Sequence, residues 1–332
     1  MKEKEIRTVR IGLLGLGTVG TQLLFMLARN EDELCERYGI RIKIDKVLVR
    51  DKNKSRKADL KDIELTTEAE EITQDEGINM VVDCMGGTGT EKTRNVILKS
   101  LEAGKSVVMS SKKCLAYYGG EIISAADRNQ CGFRYDACVV GCIPISSVLR
   151  NMARGERILS IQGIFNASSN YILSKMEEGL SYEKALIRAR ELGLTEEDPT
   201  DDVEGYDTLY KLIILAGFAW GVWYDPDAFT AIPLSSVTKE AIREAECRQA
   251  VIKAIGRIRR DKDNVSCYVG PSLQEKGSLL AGVGENNNII LIESEHCGIR
   301  AFYGQGAGPA PTASAMYDDI ISLLLTSSPR PD

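Results

Sequence analysis

The chain has 332 residues, 43% of them hydrophobic and 27% charged, with a net charge of −6. That is enough for two domains of ordinary globular composition. The acidic balance, with no basic stripe, argues against a nucleic-acid partner, and the single histidine, His296, excludes His-based zinc sites and Ser-His-Asp chemistry.

The nine cysteines are scattered without a C-x-x-C pair, which reads as reduced thiols in a cytoplasm. The charged start, MKEKEIR, does not read as a signal peptide, and none is expected. The longest apolar run, Leu212 to Tyr224, is too short to span a bilayer and reads as a buried helix. Acid–base work therefore falls to Lys, Asp, Glu or Tyr.

In chain order, Val9 to Leu14 reads as a buried strand, followed by Gly15-Leu16-Gly17-Thr18-Val19-Gly20 and a helix with Val19, Leu23 and Leu27 on one face. Strand, G-x-G-x-x-G and helix form the dinucleotide-binding fingerprint. Gly15 allows the tight turn, Gly17 lets backbone approach a pyrophosphate, Gly20 lets helix pack on strand, and Thr18 and Val19 begin the helix whose N–H groups face the phosphates. Ile40 to Val49 reads as the second strand. Past its end, Arg50 and Lys57 suit a 2′-phosphate and favour NADP over NAD, Asp51 suits a free 2′-hydroxyl, and the cluster also fits a solvated basic loop.

Further strands are expected at Met80 to Met85, Ser106 to Met109 and Phe133 to Val140, with helices from about Glu91 to Glu102 and Gly120 to Asn129. Alternating strands and helices predict an α/β, Rossmann-type doubly wound parallel sheet. Gly15–Gly20, Gly86–Thr88 and Ser110–Lys112 all fall at the carboxyl ends of its strands, where such sheets bind ligands. Cys138 and Cys142 read as buried small residues. After Pro144 the pattern becomes α+β: a strand at Ile158 to Phe165, a helix capped by Ser168 or Ser169, and helices at about 182–192 and 206–220. Late strands follow at 265–269, 289–294 and 299–303, then a closing helix from Pro309 and a frayed tail from Ser327.

Asp207 and Lys211 stand four apart on the apolar helix, so carboxylate and ammonium share a face. A surface pair at this spacing would be worth little. This helix is too hydrophobic for the surface, and a lysine beside apolar groups can have its pKa lowered toward proton exchange with an alkoxide.

Nearly end to end, the chain resembles homoserine dehydrogenase. The segments that carry this are GLLGLGTVG, Gly86-Gly87-Thr88, Ser111-Lys112, Val139-Val140-Gly141-Cys142-Ile143-Pro144, Asn166 to Leu173, the run from Glu196 through Asp207-x-x-x-Lys211, and Tyr303-Gly304-x-Gly306-Ala307-Gly308-x-x-Pro311-Thr312-Ala313. The resemblance implies reduction of aspartate 4-semialdehyde to homoserine with NADH or NADPH, by a homodimer. It implies Lys211 as proton donor, Lys112 between nicotinamide and substrate, Glu196 and Asp207 on the substrate's amino group, and Thr88, Ser110 and Gly306 lining the cofactor. It also implies a sodium-type ion held by Asp136, Val139, Gly141 and Ile143, mostly through main-chain carbonyls.

The implied division is a dinucleotide-binding domain, 1–141, completed by a C-terminal helix, 305–332, around a substrate-binding and dimerisation domain, 142–304. The regulatory domain of longer members is not expected. Departures from the family pattern are Ser111 for Asn, Asn166-Ala167-Ser168-Ser169-Asn170 for N-G-T-T-N, Asp136 for Glu, Cys142 for Gly, and loss of a His-Pro-Leu segment around Lys276 to Leu280. They leave open a dehydrogenase for another amino-acid-derived aldehyde. A non-catalytic nucleotide-binding regulator on the same fold fits less well, because a binding module needs neither Lys112 nor Lys211.

Overall fold

The computed structural model describes residues 6–86, 89–141, 143–195, 198–306 and 308–326. The chain divides into two compact units, with boundaries between Cys138 and Val139 and between Gly308 and Pro309.

The first unit contains β1 (Arg7–Leu14), α1 (Thr18–Arg29), α2 (Glu31–Tyr38), β2 (Ile40–Leu48), β3 (Glu64–Thr66), α3 (Glu70–Thr73), β4 (Met80–Asp83), α4 (Thr90–Glu102), β5 (Ser106–Met109), α5 (Lys112–Arg128) and β6 (Phe133–Arg134). Its strands form one parallel sheet in the order β3-β2-β1-β4-β5-β6, the doubly wound arrangement. The central strands β4 and β5 are almost wholly buried, as expected for a parallel sheet covered on both faces. Leu23 and Leu27 of α1 join Val9, Ile11 and Leu13 in the core, each contributing about 1.5–3 kcal/mol. The closing helix, Pro309–Thr326, packs against α1 and adds Ala313, Met316, Ile320 and Leu323 to that core.

The second unit contains α6 (Ile145–Met152), β7 (Ile158–Ile164), α7 (Ala167–Glu177), α8 (Tyr182–Glu191), α9 (Thr200–Val203), α10 (Tyr206–Trp220), α11 (Lys239–Cys247), β8 (Ala250–Asp261), β9 (Asn264–Glu275), β10 (Asn287–Ser294) and β11 (Gly298–Gln305). Its sheet is antiparallel, in the order β11-β10-β7-β8-β9. Helix α10 packs on one face, with Thr208 and Leu212 against Gly256 of β8. On the other face Ile164, Ile255 and Ile289 gather with Leu280 and Val283.

Several expectations are corrected. The helix expected from about Gly120 begins at Lys112, and the Gly119-Gly120 pair lies inside α5, with Gly119 buried. The strand expected to reach Val140 stops at Arg134, and a 3-10 turn, Asp136–Cys138, replaces its end. The Asp136 N–H donates to Oδ2 of the buried Asp319 at 2.8 Å, drawing the chain out of the sheet. Helix α7 is capped by Asn166, whose Oδ1 accepts from Ser169 N at 2.8 Å, and not by Ser168 or Ser169. The sequence reading also leaves out β3, β8, α2, α3, α6, α9 and α11.

Candidate functional site

In the first unit, register sets Leu48, Leu14, Asp83 and Met109 in one row across four parallel strands. The segments beyond that row, Arg50, Gly15–Gly20, Met85 and Ser110–Lys112, therefore leave the sheet at the same edge. Gly15 has φ +97°, and a Cβ there would stand 2.7 Å from the Cys84 carbonyl oxygen. A Cβ on Gly20 would stand 2.5 Å from the Gly15 oxygen, so this glycine permits the approach of α1 to the turn. Gly17 differs: nothing lies within 4 Å of its Cβ position. It is the N-cap of α1, without a side-chain cap and with no acid in the first helical turn. A helix N-terminus with open space before it fits a pyrophosphate.

Arg50 and Lys57 are exposed on the loop after β2. Within that loop Arg56 donates to the carbonyls of Asp51 and Lys54, so this cation shapes the basic loop. At the other strand ends, the wholly buried Asp83 accepts from Met85 N at 2.9 Å and Ser111 N at 3.1 Å, while Ser110 Oγ donates to the Asp83 carbonyl at 2.7 Å. Burial pushes the Asp83 carboxyl above its ordinary range, against these hydrogen bonds. The carboxylate fixes the start of α5, where Lys112 is the first, half-buried residue. The sequence reading passed over Asp83; its signal is one acid at the end of an apolar strand.

In the second unit, Asp207 and Lys211 occupy successive turns of α10, 2% and 6% exposed. Lys211 Nζ lies 2.7 Å from Asp207 Oδ2 and donates to the Phe165 carbonyl at 2.7 Å. Asn166, the next residue, donates from Nδ2 to Asp207 Oδ2 at 2.8 Å and to Asp202 Oδ1 at 2.6 Å. Thr195 Oγ1 donates to the other Asp202 oxygen at 3.0 Å, and Ser169 Oγ donates to the Asp202 carbonyl at 2.9 Å. The end of β7, the cap of α7, and α9 and α10 thus meet at one polar cluster in an apolar surround. It holds an ammonium in a fixed direction. Asn166 and Asp202 had no separate role in the sequence reading.

Gly306 lies beyond β11 and is buried, while Val139 and Ile143 are buried beside Gly141 in the turn before α6. Asp136 opens the 3-10 turn. Among the described residues no three His, Cys, Asp or Glu side chains cluster to hold a metal. Thr88 and Glu196, as well as Cys142 and the tail from Ser327, lie outside the described residues.

Two family profiles match: "Homoserine dehydrogenase, NAD binding domain" over residues 15–136 and "Homoserine dehydrogenase" over residues 144–321. The chain belongs to the homoserine dehydrogenase family. Homoserine dehydrogenase of Lactococcus lactis is 38% identical over 322 residues, 96% of this chain and 74% of that protein. The Bacillus subtilis enzyme is 34% identical over 320 residues, 96% and 73%. Among solved structures, homoserine dehydrogenase of Thiobacillus denitrificans superposes with a TM-score of 0.90 at 34% identity, covering 98% of this chain and 75% of that one. That of Staphylococcus aureus gives 0.86 at 31%, covering 98% and 78%. As a homoserine dehydrogenase family member, the chain is an oxidoreductase that binds NAD(P).

Proposed function

We propose that the chain interconverts aspartate 4-semialdehyde and homoserine, with Lys211 as proton donor to the carbonyl oxygen. The observation that carries this reading is the buried Lys211–Asp207 pair, held by the Phe165 carbonyl and Asn166. An ammonium fixed at two points in an apolar surround is a preorganised acid, and positioning of this kind contributes roughly two to four orders of magnitude in rate.

When bound, NADPH would supply the hydride that reduces the aldehyde carbon. Lys211 gives its proton to the oxygen as charge develops there, and in the reverse direction takes the hydroxyl proton of homoserine. Lys112, at the start of α5, acts on the same oxygen by electrostatic polarisation. Asp207 and Glu196 hold the substrate's ammonium. Gly15, Gly17, Thr18, Val19, Gly20, Thr88, Ser110 and Gly306 line the dinucleotide, while Arg50 and Lys57 contact a 2′-phosphate and give preference to NADPH. The open N-terminus of α1 supports the pyrophosphate end of this assignment. Asp136, Val139, Gly141 and Ile143 hold a sodium-type ion on the family resemblance alone.

The working unit is a homodimer formed through the second sheet. Ile299 and Tyr303 on one side of β11 are 64% and 61% exposed, apolar area suited to a second copy. The described cysteines are unpaired, in keeping with a cytoplasmic setting, and no helix among the described residues is long and apolar enough to cross a membrane.

The test is steady-state oxidation of homoserine with NADP+ and NAD+, next to a panel of other amino alcohols. The highest kcat/KM for homoserine is expected. A higher value for another amino alcohol transfers the assignment to that substrate.

A further inference from the structure

Asn288 is wholly buried on β10, and neither its Oδ1 nor its Nδ2 has a hydrogen-bond partner. A primary amide offers two donor hydrogens and an acceptor oxygen. Most buried polar side-chain atoms of native proteins are paired, and an apolar residue of like shape is more stable than an unpaired one. The amide at this position therefore lowers the stability of the fold.

Its direction follows from register. Ile289 points into the apolar cluster with Ile164 and Ile255. Strand alternation sends Asn288 to the other face, the one on which α10 rests against Gly256. Across the ladder Asn288 pairs with Gly304, two residues before Gly306. A Cβ on Gly306 would stand 2.3 Å from Asn288 Cγ, 2.4 Å from Oδ1 and 2.6 Å from Nδ2. The carboxamide thus lies against Gly306, with donor and acceptor both close to that residue.

We infer that Asn288 is a positioning residue for the dinucleotide: in the bound enzyme its carboxamide hydrogen-bonds the main chain of the Gly306 turn and holds that turn on the cofactor. This rests on the assignment of Gly306 to the cofactor site in the proposed function. A small displacement of the turn suffices, because the amide already touches it. A buried amide kept for this purpose trades fold stability for cofactor affinity.

Asn288→Leu keeps the side-chain volume and removes both hydrogen-bonding functions. Ligand-free, the variant should melt about 2 °C above the parent protein. Its Kd for NADPH, by calorimetric titration, should rise about tenfold, with KM for homoserine and kcat within about twofold at saturating cofactor. A purely packing role would leave NADPH affinity unchanged. Parental affinity in the variant, or a lower melting temperature without ligand, overturns the inference. If leucine prevents folding, Asn288→Ala decides by the same titration: a weakened Kd supports the inference and a parental Kd overturns it. A parent protein that binds no NADPH overturns the cofactor assignment as well, whereas equal binding by parent and variants overturns the role of Asn288 alone.

Discussion

Lys211 Nζ stands 2.7 Å from Asp207 Oδ2, one turn apart on α10, and both side chains are buried. An ion pair at this spacing on a helix surface is worth a few tenths of a kcal/mol. In an apolar surround, removing one partner leaves an uncompensated buried charge, at a cost of about 3–5 kcal/mol. The pair thus couples fold stability to the proposed chemistry.

Lys211→Ala should lower kcat by about two to four orders of magnitude while the Kd for NADPH stays within about twofold. Because Asp207 loses its counter-ion, folding must be verified by circular dichroism before the rate is read. A folded Lys211→Ala protein that retains most of the parental kcat, with chemistry shown to limit turnover, would remove Lys211 from the role of proton donor.

Asn166 does two jobs that one substitution can separate. Its Oδ1 caps α7, and its Nδ2 joins Asp202 to Asp207. Serine preserves the cap but is too short to bridge the two carboxylates. Asn166→Ser should therefore raise KM for homoserine about tenfold, in line with the loss of hydrogen bonds to charged groups. The melting temperature should fall less than in Asn166→Ala, which loses the cap too. Equal KM in Asn166→Ser and the parent would show that the bridge does not serve substrate binding.

Arg50 stands two residues past the end of β2, beyond the strand row that also ends at Gly15. Arg50→Ala should weaken NADPH about tenfold and NADH hardly at all, since the 2′-phosphate is the part of the cofactor that this charge is proposed to meet. Parallel titrations of both cofactors check this. Equal affinity of the unaltered protein for the two would exclude the clamp.

Asp83 provides a pH signature. Burial raises its folded-state pKa above the unfolded value near 3.8. The folded protein therefore binds the proton more tightly than the unfolded chain. Its contribution to stability is full below that value and is lost as pH rises through the folded pKa. Asp83→Asn does not titrate, so its stability relative to the parent should climb between pH 4 and pH 7. The hydrogen bonds that the amide changes add an offset independent of pH. Urea unfolding of both proteins at several pH values reads the slope, and a relative stability that falls over this range would contradict a raised pKa.

The sequence by itself determined the elements whose signals are local. Gly15, Gly17 and Gly20 after an apolar strand specify the turn and the start of α1. The short apolar strands β4 and β5 stand out between polar segments, and the run Leu209 to Leu215 marks α10 as buried, which takes Asp207 and Lys211 off the surface. Each of these rests on spacing within about twenty residues, where helical or strand periodicity fixes which side chains share a face.

Tertiary structure decided what depends on partners distant in the chain. Strand β6 stops at Arg134, and two residues on, the Asp136 N–H is taken by Asp319, 183 residues later in the chain than Asp136. Strand β8 escaped recognition because Lys253 is buried within it, opposite Glu177 of α7, and breaks the alternation. Asn166 reaches Asp202 and Asp207 across 36 and 41 residues, and Asn288 meets Gly306 only through the pairing of β10 with β11. Such contacts form only after chain closure has been driven by apolar burial, so periodicity carries no trace of them.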